Sequence, residues 1–375
     1  MKIIIIGNGV AANSAASAIR DHERESDITM ISDENLFFYA RPRLTEYLAG
    51  KSPFEKIIVH DEKWYEKNNI DLLRGARVSS IDTEHRMVCG SFEDLPYDKL
   101  LIASGASPSF PPFYNPPLEK VFVLRTKEQA DRIIATAQQC RSAAIIGGGL
   151  LGIETAYALS ERGLESTIVE YYKWLLPRQL DEDSASILQE LLLQKGIKFL
   201  LGKQTSSLSN ENGKISISFS DGGSVYVDMT IISAGVRPNI AFLRDSKISI
   251  GRGITIDNQM RTNLPDVYAA GDCAEFNGKM YGIWPAAKEQ GEMAGHAIAG
   301  QSVDYRGSVM STKLKVAGID VASVGDFSIA PSTTVEVLHE EGVFKKYFRE
   351  GNKLKGAILI GDTSDYFKLQ NEIAG

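Results

Sequence analysis

Hydrophobic positions along the 375-residue chain recur in a fixed order: a short apolar run, a cluster of glycines, then apolar residues at helical spacing. Lys2 to Ile6, apolar from Ile3 on, and Ala143 to Ile146 read as strands buried on both faces of a parallel sheet. Val10 to Arg20 and Leu150 to Arg162 carry the alanines, leucines and glutamates of helices. A second apolar strand follows each helix, Ile28 to Ser32 and Ser166 to Val169. About 85 to 100 residues after each first glycine a further strand ends in a glycine turn, Leu100-Leu101-Ile102-Ala103-Ser104-Gly105 and Thr230-Ile231-Ile232-Ser233-Ala234-Gly235. The chain therefore reads as an approximate duplication of one α/β unit.

Between these landmarks the pattern changes period. Ile215, Ile217 and Phe219 alternate with polar residues, Asp221-Gly222-Gly223-Ser224 supplies a turn, and Val225-Tyr226-Val227 returns, which predicts a small antiparallel insertion. Asp181 to Lys195, apolar at Ile187, Leu188, Leu191 and Leu192, predicts an amphipathic helix stopped by Gly196. Pro108, Pro111, Pro112, Pro116 and Pro117 mark an extended linker between the two units. After residue 305 alternating strands appear: Val335 and Val337, Phe344 and Phe348, a turn at Glu350-Gly351-Asn352, and the run Ala357 to Ile360. The predicted class is α/β, two Rossmann-like dinucleotide-binding domains with a small C-terminal α+β domain. The expected domains are 1–107 with 236–305, then 108–235, then 306–375.

The glycine clusters give those helices a chemical purpose. In Gly7-Asn8-Gly9-Val10-Ala11-Ala12 and Gly147-Gly148-Gly149-Leu150-Leu151-Gly152 the first glycine makes the tight turn and the second lets backbone approach a pyrophosphate. The last position must be small for helix and strand to pack closely. Asp33 and Glu170 end the second strands, where a carboxylate can accept from an adenosine ribose. Glu170 favours the free 2′-hydroxyl of NADH over the 2′-phosphate of NADPH, and Lys173 and Arg178 soften that preference.

Bulk properties narrow the field. With 41 basic and 48 acidic residues the net charge is −7, which argues against a general nucleic-acid binder. Cys89, Cys140 and Cys273 are too widely spaced for a redox pair, a metal knuckle or a secreted disulfide framework, so a reducing, cytoplasmic setting is expected. No apolar stretch is long enough to span a bilayer, and Gly7-Asn8-Gly9 interrupts the opening apolar run before it could serve as a leader. His22, His60, His85, His296 and His339 have no metal or triad spacing.

Gly271-Asp272 follows Val267-Tyr268-Ala269-Ala270 and so stands at the carboxyl end of a buried strand, where ligands bind in open α/β sheets. Together with the two fingerprints and the paired turns at Ala103-Ser104-Gly105 and Gly235, this resembles the FAD-dependent pyridine nucleotide-disulfide oxidoreductase superfamily. Tyr39-Ala40-Arg41-Pro42-Arg43-Leu44 resembles the RP-x-L segment of its NADH:rubredoxin oxidoreductase branch, shared with nitrite reductases, dioxygenase-linked ferredoxin reductases and apoptosis-inducing factor. The resemblance implies FAD on the first unit, at Gly7, Gly9, Val10, Ala11, Ala12, Asp33, Ala103, Ser104, Gly105 and Gly271. It gives Asp272 the ribityl chain, Arg41 the phosphates, Pro42 the flavin edge and Val78 the adenine, with Arg125 on the FAD side. NADH is implied on the second unit, at Gly147, Gly149, Leu150, Leu151, Gly152, Glu170 and Gly235. Trp284 of Trp284-Pro285 is placed beside flavin and nicotinamide, and Glu154 near the nicotinamide amide.

Two departures refine that picture. Glu46 occupies the position at which dioxygenase-type reductases and apoptosis-inducing factor carry a lysine, leaving open what sits opposite Glu154. No cysteine lies on the segment Arg41 to Tyr47, where disulfide reductases and water-forming oxidases keep theirs, and Cys273 reads as a buried filler. Without a thiol, electrons are expected to leave for a small redox protein, rubredoxin above all, docking on a basic rim drawn from Arg43, Lys288, Lys313 and Lys315. The alternatives are a peroxide-forming NADH oxidase, the NADH-binding component of a nitrite reductase or oxygenase, and an NADH-sensing flavoprotein that signals. The oligomeric state is not fixed by the sequence.

Overall fold

A computed structural model describes residues 1–114, 118–308, 311–316 and 318–374 of the chain. Pro116 and Pro117 of the expected linker lie outside the described residues. The described chain forms two compact units, one of Met1–Ala40, Phe54–Ser107 and Val236–Ser308, the other of Arg41–Pro53, Pro108–Gly235 and Val309–Gly375.

The first unit is built on five parallel strands in the order Val267–Ala269, Lys99–Ile102, Lys2–Ile6, Asp27–Ser32, Ile70–Arg74. Lys2–Ile6 is central because both its faces and both its edges are covered, and Ile3, Ile4, Ile5 and Ile6 are all buried. The helix Val10–His22 crosses Trp284–Ile298 with Ala11 and Ala15 set against Gly291 and Gly295. Small residues on both helices let the backbones touch, and this second helix was not anticipated. A three-stranded antiparallel sheet, Val78–Asp82, Met87–Gly90 and Leu95–Pro96, completes the unit.

In the second unit the order is Lys198–Leu200, Glu165–Val169, Ser142–Ile146, Met229–Ile232, Val121–Phe122, again all parallel. The fingerprint strand is again in the middle, the acid-bearing strand on one side and the strand leading to the later glycine turn on the other. The duplication is thus one of topology. Both glycine turns fall where successive connections leave the central strand in opposite directions, the position at which open α/β sheets bind ligands.

The predicted hairpin is present as Lys214–Phe219 and Ser224–Val227, joined by a strand the period did not reveal, Thr205–Glu211, whose exposed, polar residues hide its alternation. The amphipathic helix runs Glu182–Leu193, capped by Asp181, whose side chain accepts from Ser184 N. Near the C-terminus five antiparallel strands are ordered Ser311–Val316, Ile319–Gly325, Lys353–Ile360, Val343–Glu350, Thr333–Glu340, and the helix Tyr366–Ala374 packs on Ile319–Gly325 and Lys353–Ile360.

Candidate nucleotide-binding sites

The first turn is closed by two backbone bonds: Gly7 N donates to the Ile31 carbonyl and Ala103 N to the Ile6 carbonyl, each at 2.8 Å. Gly7 has φ +120° and a Cβ there would overlap the Ala103 carbonyl oxygen, so only glycine fits. Gly9 caps the helix with no side chain, and the space its Cβ would take is open for 4 Å. The first amides of a 13-residue helix are thereby left uncovered, the arrangement that receives a pyrophosphate. Ala11 and Ala12 are buried and Val10 half-buried; Asp33 is exposed just beyond its strand, and Val78 opens a strand half-buried. Ser104 Oγ donates to the Asn239 carbonyl at 2.7 Å, and Asn239 returns bonds to the Ser104 and Gly105 carbonyls, both 2.9 Å. Gly271 N donates to Gln290 Oε1 at 2.9 Å, which leaves half-exposed Asp272 at the strand end. Cys273 is fully buried against the Ile102 and Ala270 carbonyls, and burial pushes its thiol up; it fills space.

Beside this turn lies a polar and aromatic brace that sequence reasoning missed. Tyr65 Oη donates toward Asn8 Oδ1 and Asn13 Oδ1 at 2.8 and 3.1 Å, and His60 Nδ1 lies 3.0 Å from Asn13 Oδ1. An amide oxygen only accepts, so His60 carries its proton on Nδ1. Its ring stacks on Trp64 with centroids 3.7 Å apart. Burial holds the imidazole down at about 4 and the Tyr65 phenol up at about 12. Trp284, first residue of its helix, stacks on Phe38 at 5.8 Å with an 11° tilt and is half-buried against the core. A lone histidine with no periodic partner gives no sequence signal for such a cluster.

The second turn repeats the first and differs in one group. Gly147 N donates to the Val169 carbonyl at 2.8 Å, a Cβ on Gly147 would overlap the Ser233 carbonyl oxygen, and one on Gly152 the Gly147 carbonyl oxygen. Gly149 caps a 12-residue helix without a side chain and with open space around it. Leu150 is half-buried and Leu151 exposed, and Gly235 turns at φ +89°. Glu170 is buried, its carboxylate accepting from Gly148 N and from Tyr172 N, the latter at 2.8 Å. The acid expected at the ribose is therefore also part of the turn.

Arg41, Pro42 and Arg43 form a short 3-10 turn leading into the helix Leu44–Leu48. Arg41 Nη1 donates to the Arg125 carbonyl at 2.8 Å, and Arg125 N to Gln129 Oε1 at 2.8 Å, next to the capping box of Lys127–Ala137. Glu154 is half-buried. Burial raises its carboxyl to about 7, against the Thr45 hydrogen bond and with help from the Glu46 charge. Thr45, not Glu46, is what meets Glu154, at 3.3 Å. Glu46 is held by Arg43 at 2.9 Å. The other cations considered for docking also have local partners: Lys288 with Glu292 at 2.8 Å, Lys315 with Asp320 at 3.8 Å, and Lys313 over the rings of Phe367 and Tyr366. Among the described residues no cluster of His, Cys, Asp and Glu is placed to hold a metal, and no helix is long and apolar enough to cross a membrane.

Residues 1–291 match the pyridine nucleotide-disulphide oxidoreductase family, and residues 311–374 the rubredoxin NAD+ reductase C-terminal domain. The chain is 36% identical to the NADH-rubredoxin oxidoreductase of Clostridium acetobutylicum, covering 99% of this chain and 94% of that protein. The crystal structure of NADH:rubredoxin oxidoreductase from that organism matches with a TM-score of 0.83 at 33% identity, covering 100% of this chain and 94% of that one. A nitrite reductase [NAD(P)H] of Bacillus subtilis is 35% identical over 98% of this chain and 46% of its own length. The chain spans about half the length, or less, of the nitrite and nitrate reductase relatives it matches.

Proposed function

The chain belongs to the pyridine nucleotide-disulphide oxidoreductase family, an oxidoreductase family whose members use FAD and a pyridine nucleotide, and from that premise we propose that it passes electrons from NADH through bound FAD to a small one-electron carrier, rubredoxin. The observation that carries the reading is the pair of uncapped helix starts at Gly9 and Gly149, each at the carboxyl end of the central strand of its own parallel sheet. Two such starts suit two dinucleotides. The first unit, with Asp272, Ser104 and Gly105 at its strand ends, is assigned to FAD. The second, with Glu170 and Gly235, is assigned to NADH.

FAD, when bound, accepts a hydride and gives up electrons singly. The protein's share is to bind, orient and keep water out. Glu170 uses lone pairs left over from Gly148 and Tyr172 to accept from a ribose hydroxyl, while its charge opposes a 2′-phosphate. In the first unit Trp284 offers a flat apolar wall for the flavin; in the second Glu154 offers a carboxyl near neutrality for the nicotinamide amide. The match of the C-terminal segment to a rubredoxin reductase domain supports rubredoxin as acceptor. The half-length match to nitrite reductases supports a second reading, the NADH-oxidising portion of such an enzyme.

One anaerobic experiment separates these. The purified yellow protein is reduced with NADH and its reoxidation timed with rubredoxin, ferredoxin, flavodiiron protein and oxygen in parallel. Rubredoxin is expected to be fastest; oxygen matching it would make the protein an oxidase, and a colourless preparation that does not take up FAD would remove the scheme.

A further inference from the structure

Thr45 is placed between two acceptors. Its Oγ1 lies 3.3 Å from Glu154 Oε2 and 3.3 Å from the Pro42 carbonyl oxygen. A hydroxyl has one hydrogen to give, and a carbonyl can only accept. With Glu154 ionised, both neighbours are acceptors and the one hydrogen of Thr45 can serve only one of them. With Glu154 protonated, the carboxyl donates to Thr45 and Thr45 donates to Pro42, so both contacts of the hydroxyl are hydrogen bonds at once.

We propose that Thr45 is a positioning residue that acts as a hydrogen-bond switch, giving its hydrogen to Pro42 while Glu154 is protonated and to Glu154 once it is ionised. The proton leaving Glu154 goes to solvent, and the only other change is the turning of one hydroxyl. Pro42 thereby loses a side-chain bond whenever Glu154 becomes charged, so the Arg41–Arg43 turn responds to the protonation of a carboxyl more than 100 residues away in sequence.

Among the described residues the neighbouring charges have partners of their own. On the helix that carries Thr45, Glu46 is bound by Arg43, and Tyr47 donates to Asp131, which also pairs with Lys127. On the helix of Glu154, Tyr157 and Glu161 are engaged by Lys51. The strands packed on that helix bring Glu165, paired with Lys198, and Lys313 and Lys315, already described. Of all these charges Glu46 is the one that bears on Glu154, and it favours the proton. Burial raises the carboxyl to about 7, which sets the switch in the neutral range.

The test is an infrared titration of the full chain carrying its cofactor, without nucleotide, in which the protonated-carboxyl band of Glu154 is assigned by its loss in Glu154→Gln. Its midpoint is expected near 7. In Thr45→Val the carboxylate loses its donor and the midpoint rises by about one pH unit, while Thr45→Ser restores it. A Thr45→Val protein that is less stable yet keeps the wild-type midpoint, or the absence of any Glu154 band near neutral pH, overturns the switch. The further expectation, that the NADH dissociation constant changes across the same midpoint, rests on the coenzyme assignment above. If the infrared midpoint moves with Thr45 while NADH affinity is flat in pH, the switch stands and the placing of nicotinamide at Glu154 fails.

Discussion

At the first glycine turn the groups that brace the start of the helix are neutral: Asn8, Asn13, Tyr65 and an imidazole kept uncharged by burial. At the second the corresponding work is done by a carboxylate, Glu170, bound to Gly148 N and Tyr172 N. The strands, the Gly7 and Gly147 conformations and the uncapped helix starts are otherwise alike. A neutral brace keeps its strength whatever charge the ligand brings, which suits an occupant that stays. A carboxylate brace shares its lone pairs with any hydroxyl that arrives, so ligand binding and turn rigidity draw on the same acceptor. That suits an occupant that exchanges.

The sharpest way to break this comparison is to spoil one turn at a time. Gly7→Ala and Gly147→Ala force a methyl into the carbonyl oxygens of Ala103 and Ser233 respectively, at a φ that L-residues avoid, and each is expected to cost more than about 3 kcal/mol. Thermal unfolding measures the cost. The ligands tell the two apart: Gly7→Ala protein is expected to lose its yellow colour, and Gly147→Ala protein to stay yellow and no longer be bleached by NADH. Bleaching that survives in Gly147→Ala would move the coenzyme away from the second unit.

Next in size is a contrast in pH dependence. His60 is held at about 4, below an unfolded value of 6.5, so its contribution is complete above 6.5 and is lost as pH falls through 4. Glu154 is held at about 7, above an unfolded 4.5, so its contribution is complete below 4.5 and is lost as pH rises through 7. Each is worth up to about 3 kcal/mol, and their slopes oppose one another between the two unfolded values. Denaturant unfolding of the wild-type chain should therefore show little net slope from these two groups between pH 4.5 and 6.5. Glu154→Gln should make stability rise with pH there, and His60→Gln should make it fall. Parallel profiles for both variants would refute the pairing.

These examples mark what could be read from sequence and what could not. Parallel strands and glycine turns announce themselves because burial on both faces and a required φ each restrict residue choice at fixed spacing. Val10–His22 and Leu150–Glu161 were legible for that reason. The strand Thr205–Glu211 was not, since an exposed edge places no demand on alternate side chains. His60 and Thr45 act through partners 47 and 109 residues away, and no local period encodes such a meeting. The expected basic rim rests on charge alone. Pairing such as Arg43 with Glu46 and Lys288 with Glu292, at i to i+3 and i to i+4, is visible in sequence and was the available warning.

Smaller in effect is the clamp that joins the C-terminal sheet to the second unit's helix Glu182–Leu193. Lys346 is almost wholly buried and pairs with Asp181, the helix cap, and with Asp183 at 3.0 Å. The chain before that cap returns to the glycine turn, with Leu176 N donating to the Gly148 carbonyl at 3.0 Å. Lys346→Met keeps the apolar stem and removes the charge. A loss of about 2 kcal/mol is expected, short of the 3–5 of a fully buried pair because Asp181 keeps Ser184 N and Asp183 faces water. Weakened NADH binding with unaltered flavin content would extend the contrast between the turns.

The smallest effect is expected at the docking rim, and it compares the two units directly. Lys313 and Lys315 are exposed and lie two apart on one strand, so both leave the same face of the C-terminal sheet; Lys288 lies on the first unit, tied to Glu292. Local partners reduce what each cation gives a docking protein, and exposed pairs are worth little. Their reach is over distance, through the rate of encounter with an acidic carrier, and it is screened within about 10 Å at 0.1 M salt. Reversing both with Lys313→Glu and Lys315→Glu should slow reduction of rubredoxin by roughly three- to tenfold at low ionic strength, leave flavin reduction by NADH unchanged, and lose its effect in 1 M salt. Lys288→Glu alone should change the same rate by less than about twofold. Stopped-flow traces of the two half-reactions decide it: an equal effect from Lys288→Glu would shift the encounter surface to the first unit, and an effect of the double reversal that persists at high salt would mean the strand itself, and not its charge, had been disturbed.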